Sequence, residues 1–244
     1  MGVNIGSKYM IVNVKLIKKE EVANETMAFH FEKPEGFTFK AGQFGDFTLL
    51  NPSETDEEGN IRGFSLAHAP YENDLMIATR MRDTAYKRVL KDLPIGTELK
   101  LDAPYGDFVL HKTETTPAVF LTGGIGITPV RSIIAQASHD TLPHKIILFY
   151  SNKTPQDTAF LTDLEIFAKE NPNFTFVPVM TRDETCSGEK GHITKEMLTK
   201  YISDVTTPIY YLSGPASMVA TMRQILTEAG ANEDNIKTEE FSGY

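Results

Sequence analysis

The hydrophobic rhythm of this chain changes once, and that change limits the folds open to it. Before Leu110 the apolar residues come in short, strand-like runs: Tyr9–Ile17, Thr26–Glu32, Gln43–Leu50, Gly63–Ala67, Asp74–Met81 and Thr97–Asp102. In the second of these, Met27, Phe29 and Phe31 fall on one side, Ala28 and His30 on the other. Pro34–Gly36, Asn51–Ser53, Pro70 and Pro94–Gly96 separate the runs. Short strands at such spacing predict an antiparallel sandwich or barrel. One helix interrupts them, from Thr84 to about Lys91, with Thr84 as its N-cap.

Leu110–Pro117 is polar and ends in proline, which reads as a linker. Beyond it, strands and helices alternate. Ala118–Leu121, Lys145–Tyr150, Phe174–Met180, Ile209–Leu212 and Ile236–Phe241 read as strands. Between them, Val130, Ile133, Ile134 and Ala137 repeat at helical spacing. So do Phe160, Leu161, Leu164, Phe167 and Ala168, then Ile193, Met197, Leu198 and Tyr201. The last helix holds Val219, Met222, Leu226 and Ala229 and is closed by Gly230. This order predicts a parallel, doubly wound α/β sheet.

Charge and cysteine content exclude several functions. With 24 Lys and Arg against 33 Asp and Glu, the net charge is −9, which argues against a nucleic-acid partner. Glu54, Asp56, Glu57 and Glu58 concentrate part of it in what reads as a solvated loop. Cys186 is the only cysteine, so neither an internal disulfide nor a four-cysteine iron–sulfur cluster is available, and no metal site is expected. No apolar run reaches the ~20 residues of a membrane span, and Met1–Lys8 lacks the apolar core of a signal peptide. The expectation is a cytoplasmic protein.

Gly123, Gly124 and Gly126 lie in a turn, continued by Ile127, Thr128 and Pro129, that joins a strand to a helix. Glycines let backbone N–H groups approach a pyrophosphate, and the helix dipole favours an anion there. Thr128 is placed to cap the helix and Pro129 to open it. A tight turn with no ligand is the competing reading, because Pro129 stands where the usual dinucleotide fingerprint has its third glycine.

The turn resembles the GGxGxTP segment of the ferredoxin–NADP reductase family. Further segments resemble that family in the same order. Arg62-Gly63-Phe64-Ser65 is similar to its R-x-Y-S/T flavin motif, with Phe for Tyr. Ser213-Gly214-Pro215-Ala216-Ser217-Met218 is similar to its C-G-P-x-x-M motif, with Ser for Cys. Glu239-Glu240-Phe241 resembles its C-terminal E-x-F region. The resemblance implies an FAD-binding antiparallel β-barrel over residues 1–112 and an NAD(P)-binding α/β domain over 113–244.

It also implies roles. Arg62 would bind the FAD pyrophosphate; the competing reading is an ion pair with the neighbouring acidic loop. Gly63, Phe64 and Ser65 would line the flavin, with Ser65 near its reactive nitrogen. Thr79, Arg80, Met81, Thr84, Ala85, Tyr86 and Lys87 lie where the family wraps the diphosphate, although its glycine-rich run is missing. Ser213 and Glu240 join Ser65 as catalytic candidates, Glu240 as a proton relay. Gly214, Pro215, Met218 and Phe241 would border the nicotinamide. Tyr244 would stack on the flavin as a gate, with Gly243 as its hinge.

Ser151, Asn152, Thr181 and Arg182 follow strands of the predicted sheet, with Lys153, Lys190 and His192 close by. No acid follows the second strand, so the expectation leans to NADPH over NADH. The implied function is transfer of electrons from NAD(P)H through FAD to a separate acceptor: ferredoxin, flavodoxin, a haem protein, a ferric complex or an oxygenase component. The alternative is an FAD- or nucleotide-binding module, or an electron-transfer subunit, without turnover of its own.

Overall fold

The structure is a computed structural model and describes residues 9–183, 185 and 188–241. Tyr244, Gly243 and Cys186 lie outside the described residues. Two six-stranded sheets divide the molecule. The first contains β1 (Met10–Ala23), β2 (Thr26–Glu32), β3 (Phe44–Leu49), β4 (Ile61–Ser65), β5 (Asp74–Arg80) and β6 (Glu98–Tyr105), in the order β4-β3-β6-β1-β2-β5. Every pairing in it is antiparallel. Its ends curl together: Ala67, just past β4, donates its N–H to the Met76 carbonyl of β5 at 2.8 Å. The interior is apolar, with Leu16, Phe29, Phe31, Phe47, Leu49 and Leu101 almost fully buried. Helix α1 (Ala85–Asp92) closes this barrel and is capped by Thr84, whose hydroxyl accepts from the Lys87 N–H.

The second sheet is parallel throughout. It contains β7 (Ala118–Gly123), β8 (Ile146–Asn152), β9 (Phe174–Met180), β10 (Glu189–Lys190), β11 (Ile209–Pro215) and β12 (Ile236–Phe241), in the order β10-β9-β8-β7-β11-β12. Helices α2 (Ile127–His139), α3 (Leu161–Glu170), α4 (Lys195–Tyr201) and α5 (Ala216–Glu228) connect the strands. β7 has every residue buried, as expected for a central strand covered on both faces. Chain order reverses between β7 and β11, which places the sheet's ligand-binding crevice at their C-terminal ends. Gly230 takes a positive φ of 94° just past α5, as a helix-closing residue does.

The start of α2 differs from expectation. Gly124–Gly126 form a 3-10 turn, the helix begins at Ile127, and Gly126 is its N-cap without a side-chain bond. The Thr128 hydroxyl instead donates to the Ile125 carbonyl at 3.0 Å. Pro129 is the third helical residue, still in the first turn where an N–H has no helical partner to lose. β10 is too short for a periodic signal.

A buried arginine joins the two halves. Arg131 of α2 is 6% exposed. It donates to both carboxylate oxygens of Glu72, to Asp163 and to the Ala67 carbonyl. Among the described residues, no helix is long and apolar enough to cross a membrane.

Candidate functional site

The seam between the sheets brings three separate segments together. Ser65 ends β4, and its hydroxyl donates to the Glu239 carboxylate of β12 at 3.2 Å. Glu239 sits opposite Ser213 of β11 in the parallel ladder. Burial pushes the Glu239 carboxyl up to about 7, an effect the Ser65 bond opposes and Asp107 reinforces. Its Oε2 is buried without a hydrogen-bond partner. Burial of this kind favours the protonated carboxyl near neutrality.

Glu240 is not that carboxyl. Strand alternation turns Glu239 and Phe241 toward the protein and leaves Glu240 exposed. Ser213 is also placed differently from expectation. It is fully buried, and its hydroxyl donates to the Gly126 carbonyl, which braces the turn from beneath.

Behind the seam lies a cavity of about 410 Å³ at the C-terminal ends of β7, β8, β9 and β11. Gly123, Gly124, Ser151, Asn152, Thr181, Pro215 and Met218 line it, as do Lys153 and His192. Gly126, Ile127, Thr128 and Pro129 are buried below it. Packing requires glycine at 126, where backbone stands in the way. A Cβ on Gly126 would stand 2.5 Å from the Ser213 carbonyl, and one on Gly123 2.4 Å from the Met218 sulfur. Gly214, at φ +150°, would bring a Cβ to 3.0 Å from the Gly123 carbonyl. Asn152 is 7% exposed, and its Nδ2 has no partner. Arg182 and Lys190 are exposed and are not among the lining residues.

Arg80 belongs to this cavity, although the sequence assigned it to the front diphosphate. It ends β5. Hydrogen bonds from Thr154 and Asn24, helped by the charges of Arg80 and Lys153, hold the Asp157 carboxyl below the usual range. Burial opposes that shift and is its largest single influence.

In front of the seam, Arg62 and the start of α1 face each other across the loop from β3 to β4. Arg62 stands 5.2 Å over the Tyr86 ring and donates to Asp56 and to carbonyls of Glu58, Gly59 and Ile61. Phe64 is half-buried against Phe47 and Tyr86. Gly63 pairs with Asp46. Several predicted contacts here serve the barrel instead. Tyr86 is 1% exposed and its hydroxyl donates to the Phe47 carbonyl. Thr79 is buried in the β2–β5 ladder, and Met81 packs on the barrel core. Ala85 is buried but offers its backbone N–H, and the Lys87 ammonium is spent on the Arg80 carbonyl.

Residues 120–224 match the oxidoreductase NAD-binding domain family. The chain superposes on a ferredoxin–NADP+ reductase from Neisseria gonorrhoeae, solved with FAD and NADP, with a TM-score of 0.78 at 23% identity. That match covers 94% of this chain and 98% of the other. Residues 120–224 thus resemble an oxidoreductase NAD-binding domain, and the chain has a ferredoxin–NADP reductase fold. The same reductase fold recurs in the FAD/NAD-binding domain of a Vibrio cholerae nitric oxide dioxygenase, with a TM-score of 0.81, 18% identity, and coverage of 97% and 98%. In sequence, the chain is 26% identical over 220 residues to the reductase component of propane 2-monooxygenase from Rhodococcus jostii. That match takes in 86% of this chain but 57% of the other protein.

Two features of this reductase fold escaped the sequence reading. Glu239 was passed over for its neighbour, yet the apolar Phe241 two residues on marks the same face of the strand. Asp157 gave no signal, because its place beside Arg80 depends on how the two sheets meet.

Proposed function

We propose that this chain is an FAD-dependent NAD(P)H reductase unit that hands electrons to a separate redox partner. The observation that carries the reading is the Ser65–Glu239 contact at 3.2 Å, which sets the flavin-type strand of the barrel against the mouth of the glycine-rich turn.

The residues present fit both cofactors. In front, a guanidinium and a helix N-terminus offer donors of the kind a diphosphate takes. Behind, Gly123 and Gly124 leave room for close backbone approach, and the unpartnered Asn152 amide lines the cavity. Bound FAD would supply two-electron acceptance and one-electron release. Arg62 and the Ala85 N–H would hold its diphosphate, and Phe64 and Ser65 would border its ring. Glu239 would hold or release a proton at Oε2, beside Ser65. Gly123, Gly124, Asn152, Pro215 and Met218 would seat the dinucleotide.

We extend the reading to NADPH over NADH. Arg80, Lys153 and His192 line the cavity with Asp157 as the one carboxylate among the lining residues, a balance suited to an extra phosphate. For the acceptor, the likeness to an oxygenase reductase component supports a separate iron or haem protein. The test is spectroscopic. Protein reconstituted with FAD is titrated without oxygen with NADPH and with NADH, then offered ferredoxin, flavodoxin or a cytochrome. Bleaching of the flavin bands at lower NADPH than NADH concentration is expected. A flavin that binds but stays oxidised favours a binding module.

A further inference from the structure

We propose that Asp56 is an internal anion seated at the diphosphate end of the FAD site, so that cofactor loading and departure of the acidic loop are one equilibrium. This rests on the FAD reading above.

The loop between β3 and β4 runs from Leu50 to Asn60, longer than a tight hairpin needs. It bears Glu54, Asp56, Glu57 and Glu58. Solvated acids on a free loop would repel one another and stay in water. Asp56 does something else. Its Oδ2 accepts the Ala85 N–H at 3.1 Å, at the first turn of α1. Its Oδ1 accepts from the Arg62 guanidinium at 3.2 Å. One carboxylate therefore spans the two donors that suit a phosphate best: a helix N-terminus and an arginine fork.

The rest of the loop reinforces the seating. Glu58 pairs with Arg62 at 2.9 Å. Glu54 takes Arg88 as a fork on both oxygens, at 2.8 and 2.7 Å. Arg62 also donates to the carbonyls of Glu58 and Gly59. A diphosphate that binds Arg62 and the Ala85 N–H must take those donors from Asp56. Both anions cannot hold them together, because like charges at contact distance repel. FAD affinity is thus lowered by the work of releasing the loop, and the loop keeps the donors paired when the cofactor leaves.

The test uses apoprotein of residues 1–244. FAD binding is followed by quenching of flavin fluorescence, and binding of inorganic pyrophosphate by the rise it causes in melting temperature. Asp56→Ala is expected to bind FAD about tenfold more tightly than the unmodified chain. It should also gain more melting temperature from pyrophosphate. Asp56→Asn should shift both in the same direction, which guards against a folding defect in the first variant. Glu54→Ala leaves Arg88 paired with Asp83 and Asp56 on its donors, so it should change FAD affinity by less than about twofold. Equal or weaker FAD binding in both Asp56 variants, with no added pyrophosphate effect, overturns the proposal and leaves the FAD reading intact. A larger pyrophosphate effect in the Asp56 variants, with no FAD binding in any form, supports the seated loop and ends the FAD reading.

Discussion

The proposed FAD corner at the front of the cleft and the proposed dinucleotide corner at its rear are made of different material. The rear corner is backbone and glycine: Gly124 and Gly214 take a positive φ, and a Cβ on Gly126 would meet backbone. The front corner is a side chain and a helix end, Arg62 with the Ala85 N–H. A corner made of backbone cannot swing away, and its geometry is set when the sheet forms. A corner made of a long side chain can be claimed by any nearby carboxylate, and here Asp56 claims it. Rigidity in one cradle and exchangeability in the other follow from the groups that build them.

The sharpest way to break this comparison is to add a methyl group to the rear corner. Gly126→Ala would push a Cβ into the Ser213 and Gly214 backbone, at 2.5 and 2.6 Å. We expect a loss of about 3 kcal/mol or more in thermal unfolding, with NAD(P)H-dependent flavin reduction lost as well. Gly59→Ala in the front loop meets nothing within 4 Å and should cost only about 1 kcal/mol, for its positive φ. If the two variants behave alike, the rear corner is not rigid.

The next effect comes from the carboxyl between the corners. Glu239 has its carboxyl raised to about 7, above the ordinary 4.5. The folded state therefore favours the protonated form. Stability from this group is complete below the ordinary carboxylate range and is lost as pH rises toward 7, a penalty on the order of 3 kcal/mol. Glu239→Gln removes the titration. Its melting temperature should exceed that of the unmodified protein by about 5 °C at pH 8, and by no more than about 1 °C at pH 4. The same variant should flatten any rise of flavin-reduction rate toward acid pH. Equal melting curves at pH 8 would mean that the carboxyl is solvated.

Smaller shifts follow at the front and beneath the turn. Arg62→Ala should weaken FAD binding about tenfold in a fluorescence titration while leaving NADPH affinity unchanged. Ser213→Ala loses the bond to the Gly126 carbonyl and should cost about 1 kcal/mol in denaturant unfolding, with FAD affinity unchanged. A large loss of FAD from the Ser213 variant would join the two corners that the comparison separates.

The architecture was legible because both rhythms are local. The strand over Thr26–Glu32 and the helical spacing of Val130, Ile133, Ile134 and Ala137 each survive in the structure, although burial in the strand runs on both faces from Ala28 to Phe31. β10, with two residues, has no period to read. The site was legible where a motif is backbone-driven, as at Gly123 and Gly124, which line the cavity. It was less so where two adjacent residues share a charge. Glu239 and Glu240 differ only in which face of β12 they occupy, and strand parity decides it. Residues that depend on the meeting of the two sheets were beyond local pattern altogether. Arg80 left the front corner for the rear cavity because β5 ends at the seam.

Dividing this protein within the 110–117 segment would leave a buried guanidinium with Asp163 as its one remaining partner. Arg131 belongs to α2, while Glu72 and the Ala67 carbonyl that hold it belong to the other piece. Each isolated half would then expose polar groups shaped for a counterpart that is missing, beside freshly uncovered apolar surface. Co-expressed fragments should find each other, and neither should persist alone. The two halves therefore behave as one folding unit, which a single cut within 110–117 would break.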